Sequence, residues 1–200
     1  MKDFCKCIVV DFNGFGSTPE PSRPYSVCDY AGEVLSVIEK EGVENAIVVG
    51  HSFGGRVAME ICAKFPDVAK GLVLVDSAGL KPRRKLSYYL KITLHKLLKK
   101  LGFKGLKGSK DYQVLSFIMK ETFKKVVQYD QTYLLKDIKV PTAIFWGKYD
   151  TETPLYMARK LNKKIEDSSL FLLDGGHFSY IDDYDTFLSI LSAFITEVEG

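Results

Sequence analysis

Five short apolar runs alternate along the chain with segments whose apolar residues recur at helical spacing. The runs fall at 7–11, 46–49, 71–76, 141–147 and 169–173, each closed by glycine, an acid or a sharp polar turn, and each predicts a buried strand. Between them Tyr30, Val34, Leu35, Val37 and Ile38 form one stripe that Gly42 ends. Val57, Ala58, Ile61, Cys62 and Phe65 form another, stopped by Pro66. Helices are also expected over 153–161 and 184–198. Alternating strands and helices imply a mostly parallel sheet with helices on both faces. From 77 to about 137 the alternation gives way to helical periodicity, with Leu86, Leu90, Leu94, Leu97, Leu98 and Leu101 on one face and a second helical piece over 113–129. Phe117, Met119, Phe123 and Tyr129 of that piece are placed either along a pocket or in ordinary core.

Two hundred residues, 46% hydrophobic and 26% charged, describe one globular domain. No apolar run reaches the length of a membrane span, and the N-terminus lacks the apolar centre of a signal peptide. Cys5, Cys7, Cys28 and Cys62 have no zinc-like spacing, which fits reduced thiols in a cytoplasm. Charge is uneven. Eleven Lys or Arg and no acid lie between Lys81 and Lys110, so a chain of net +3 carries −8 outside that segment. The basic helical face is expected to be solvated above an apolar face that covers a pocket, with contact to anionic lipid or an acidic substrate as the sharper alternative. The basic residues belong to no recognisable nucleic-acid module, so no nucleic-acid partner is expected.

The chemistry concentrates at Gly50-His51-Ser52-Phe53-Gly54, between the second run and the stripe that follows it. A serine on so tight a strand-to-helix turn sits in strained geometry with its Oγ lifted clear. Gly50 and Gly54, two residues either side, are expected where a side chain would crowd the turn. The new helix aims its first N–H groups, Phe53 foremost, at the attacked carbonyl. A nucleophilic serine needs a base, and the base an orienting acid. Of three histidines, His51 adjoins the serine and His95 lies in the basic segment, whereas His177 follows the fifth run on a glycine loop. Asp150, after the fourth run, and Asp76, after the third, compete for the acid's place, with Asp174 too near His177 in sequence. The order Ser52, Asp150, His177 favours Asp150.

These motifs resemble the α/β-hydrolase family. Residues 7–17 resemble its fourth strand and glycine loop, Gly50–Gly55 its nucleophile elbow, 140–150 its acid-bearing strand and 175–178 its base loop. The resemblance implies a hydrolase core over 1–76 and 138–200 and a helical cap inserted at 77–137. It also implies a metal-free and cofactor-free serine hydrolase with Ser52, His177 and Asp150 catalytic and the Phe53 N–H as oxyanion donor. The expected substrate is a small carboxylic ester or related acyl compound. A diketone carbon–carbon hydrolase and a receptor or catalytically impaired fragment are the alternatives. Met1 falls just before the fourth-strand match, so the family's first three strands, and the loop carrying a second oxyanion donor, are expected to be missing.

Overall fold

The structure, a computed structural model, describes residues 5–82 and 114–200. The leucine face and most of the basic segment expected over 81–110, and His95 with them, therefore lie outside the described residues.

Ser26 opens the first helix, α1 (Val27–Lys40), through a capping box in which Ser26 and Asp29 each satisfy the other's backbone N–H. β1 (Ala46–His51) follows and runs straight into α2 (Phe53–Lys64), which ends ahead of Pro66 as expected. β2 (Ala69–Val75), α3 (Phe117–Gln128), β3 (Thr142–Gly147), α4 (Tyr156–Lys164), β4 (Ser168–Leu173), the single turn α5 (Ser179–Asp182) and α6 (Tyr184–Glu199) complete the described order. The four strands pair parallel in the order β1-β2-β3-β4.

Side chains alternate across a sheet with a period of two, so strands covered on both faces are apolar at every position. β2 from Gly71 to Val75 and β3 from Ala143 to Gly147 follow that rule. Leu72, Leu74, Ile144 and Trp146 pack on one face with Ala58, Met59 and Cys62 of α2 and Met157, Ala158 and Leu161 of α4. Val73, Val75, Ala143 and Phe145 pack on the other with Leu191, Phe187 and Phe194 of α6. α1 adds an outer layer, burying Val27, Tyr30 and Ala31 against Val57 and Ile61 of α2 and Val126 of α3. Each fully buried large side chain contributes about 1.5–3 kcal/mol.

Three expectations need correction. The run at 7–11 is not a strand: among the described residues it pairs with no neighbour, and Val9 is 90% exposed. An apolar run becomes a strand only with a partner about 4.8 Å away, and β1 is hydrogen-bonded on its β2 side alone among the described residues. The helix expected from 153 begins at Tyr156, because Thr153 turns its N–H and hydroxyl onto Asp150. On α3, Phe117 and Phe123 are exposed rather than in the core, while Met119 is buried against the Gly14 loop. No helix among the described residues is long and apolar enough to cross a membrane.

Candidate active site

Four strand ends converge at one edge of the sheet, and each delivers a polar side chain. The first is Ser52, at φ 49° and ψ −112°, a backbone state that non-glycine residues rarely adopt. The strain is held from both sides: the Ser52 N–H donates to the Val75 carbonyl at 3.1 Å, and the Ser52 carbonyl accepts from the N–H groups of Gly55 and Ala78. Gly50 is required, since a Cβ there would lie 2.5 Å from the Gly54 carbonyl oxygen. Gly54 is not, because a Cβ there meets nothing within 4 Å. The crowded position is Gly55, where a Cβ would fall on the Ser77 hydroxyl. The elbow is therefore tight before the serine and three residues after it.

His177 stands behind β4 with its side chain 9% exposed. Its Nε2 lies 2.9 Å from Ser52 Oγ and its Nδ1 2.9 Å from Asp150 Oδ2. Asp150, buried on the loop after β3, takes two further donors on Oδ1, the N–H groups of Glu152 at 2.7 Å and Thr153 at 2.9 Å. Thr153 Oγ1 sits 2.6 Å from Asp150 Oδ2 and 3.1 Å from the Asp76 carbonyl, with one proton to give to either. Burial alone would push the Asp150 carboxyl up, but the hydrogen bonds from His177, Thr153 and Glu152 outweigh it and hold the group below its ordinary range. The acid is thus kept as the anion that fixes the Nδ1–H tautomer of His177, leaving Nε2 to accept from Ser52.

Asp76, the other candidate acid, does a different job. It is fully buried, and its carboxylate accepts from the Gly147 N–H at 2.7 Å and from the Ser179 N–H and hydroxyl at 3.2 and 2.5 Å. Burial pushes its carboxyl up despite those donors. It ties the end of β3 to the start of α5, its carboxylate bound to Gly147 and Ser179 rather than to His177. Asp174 also stands apart, 3.7 Å from Lys148 Nζ.

Two contacts have no signal in the sequence. The Nε2–H of His51 donates to the His177 carbonyl at 2.7 Å, so the residue beside the serine braces the backbone of His177. The Glu152 carboxylate approaches His177 Nε2 at 3.5 Å from the solvent side. The Phe53 N–H opens α2, where no side chain caps the helix, and the Phe53 ring packs against Phe12, Phe15 and Tyr30 at centroid distances of 5.4, 5.5 and 5.1 Å. That aromatic wall brings the loop after residue 11 to the elbow. Among the described residues no cluster of three or more His, Cys, Asp or Glu is placed to hold a metal.

A family model described as alpha/beta hydrolase fold matches residues 2–95. Over 234 aligned residues the chain is 26% identical to an uncharacterised protein of Mycobacterium tuberculosis, spanning 96% of this chain and 68% of that protein. It is 24% identical over 231 residues to a proline iminopeptidase of Saccharolobus solfataricus, spanning 92% of this chain and 73% of the relative. Among solved structures, the enol-lactonase of Burkholderia xenovorans LB400 superposes with a TM-score of 0.71 at 21% identity, covering 93% of this chain and 79% of that one. At that identity the likeness is one of fold.

Proposed function

The chain has the α/β-hydrolase fold and is an enzyme of the hydrolase type, and from that premise we propose that it is a serine hydrolase of carboxylic esters or related small acyl substrates. The observation that carries this reading is the continuous hydrogen-bonded chain from Ser52 Oγ through His177 to Asp150, both links at 2.9 Å. In the proposed reaction Ser52 Oγ attacks the acyl carbon while His177 Nε2 takes its proton. The Phe53 N–H, at the positive end of α2, receives the oxyanion. His177 then gives the proton to the departing alcohol, leaving an acyl-Ser52 ester. Water, deprotonated by the same nitrogen, cleaves that ester and restores the serine. Asp150 stays ionised throughout and balances the imidazolium. In this reading the substrate is a small acyl compound, 1–76 with 138–200 is the catalytic core, and 77–137 is a cap over its mouth.

The test is a panel of p-nitrophenyl esters of increasing acyl length, with Ser52→Ala as control. Turnover of a short-chain ester that falls at least about 10³-fold in Ser52→Ala is expected. Equal turnover by the variant would overturn the proposal.

A further inference from the structure

Glu152 lies two residues beyond the acid, on the same tight loop, with its N–H spent on Asp150 Oδ1 at 2.7 Å. Its side chain is 68% exposed, yet its Oε2 is 3.5 Å from His177 Nε2, the nitrogen that also faces Ser52 Oγ at 2.9 Å. A neutral imidazole presents a lone pair there, so the carboxylate adds nothing to the resting hydrogen-bond chain. What it does is put a negative charge beside the one nitrogen that must hand a proton to the leaving group. A departing oxygen within hydrogen-bond reach of Nε2, about 3 Å, is thereby within about 6.5 Å of Glu152. The other carboxylates flanking the His177 loop already have partners: Asp182 takes the Gly176 N–H, Asp183 takes the Asp174 N–H, and Asp174 lies near Lys148.

We infer that Glu152 is a specificity-determining residue that favours substrates with a positively charged leaving group and disfavours those with an anionic one. The inference rests on the serine-hydrolase reading and adds to it the charge class of the substrate. A unit charge about 5 Å away alters the preference about fourfold under full water screening and by more as the site loses water. Added salt should weaken that preference, which a steric effect would not show.

The experiment compares butyryl esters of choline, of 3,3-dimethylbutanol (its uncharged isostere) and of glycolate, on the wild type, Glu152→Gln and Glu152→Asp. The wild type is expected to prefer the choline ester over its isostere in kcat/KM. Glu152→Gln should lower that ratio about four- to thirtyfold and raise the glycolate-to-isostere ratio correspondingly. Glu152→Asp should keep most of the wild-type pattern, and 0.5 M NaCl should compress it. Ratios that stay within twofold in Glu152→Gln, in an enzyme that turns over the neutral ester, would overturn the inference alone. Failure of the folded wild type to turn over the neutral ester would instead remove the hydrolase reading beneath it, and this inference with it.

Discussion

Asp76 and Asp150 are both buried acids at strand ends, and in the proposed reaction their partners assign structure to the first and chemistry to the second. Asp150 faces His177 Nδ1, whereas the Asp76 carboxylate accepts from the Gly147 and Ser179 N–H groups and the Ser179 hydroxyl. Asp150→Asn keeps the shape but reverses a donor and an acceptor, so His177 is left in the wrong tautomer. It is expected to lower kcat about 10⁴-fold with little change in the urea midpoint. Asp76→Asn sets an amide NH₂ among donors that need an acceptor. It is expected to cost about 2–3 kcal/mol of stability in urea titration. An Asp76 variant that lost activity while keeping its stability would reverse this assignment.

The loops and helix ends that hold these residues have consequences of their own. His51→Phe removes the donor to the His177 carbonyl while keeping an aromatic ring in a site already lined by Phe178 and Tyr180. Turnover is expected to fall about 10-fold or more with KM little changed, since a misplaced base costs rate first. His51→Gln, which retains a donor, should recover part of it. At the start of α1, Asp29 completes the capping box, and the hydrogen bond from Arg23, helped by Ser26, lowers its carboxyl to about 2 from 3.8. A folded-state value below the unfolded one means the capping contribution is complete above about pH 4 and lost as pH falls toward 2. Asp29→Asn should therefore be less stable than the wild type at pH 6, with the gap closing below pH 3 in denaturant titrations.

These elements also mark what the sequence could carry. β2 and β3 were legible because burial on both faces demands an unbroken apolar run, and α1 and α2 because their stripes and stops are local. The run at 7–11 looked the same but formed no ladder, since pairing is not a property of one segment. Ser52, His177 and Asp150 were legible as candidates because strand ends converge in a parallel sheet. The His51 brace spans 126 positions of sequence and depends on how two loops meet. The need for glycine at Gly55 rather than Gly54 depends on where Ser77 sits. Neither leaves a local mark.

Across the molecule, one buried polar network joins pieces far apart in the chain. Glu60 of α2, wholly buried, accepts from Cys28 of α1 at 2.8 Å and from Tyr129 at 3.0 Å, and pairs with Lys64. Gln131 donates to the Arg56 carbonyl at 2.8 Å, and Arg56 donates to the Tyr129 carbonyl at 2.7 Å. Burial pushes the Glu60 carboxyl up, but its donors outweigh that and hold it below its ordinary range. Glu60→Ala should cost about 3–5 kcal/mol, because several partners lose their acceptor at once. The central claim is that the elbow and the base assemble into a reactive serine, and a fluorophosphonate probe located by peptide mass spectrometry tests it most directly. Labelling at Ser52 alone, lost in Ser52→Ala and strongly reduced in His177→Ala, is the predicted result. A folded protein that stays unlabelled, or is labelled at another residue, would contradict it.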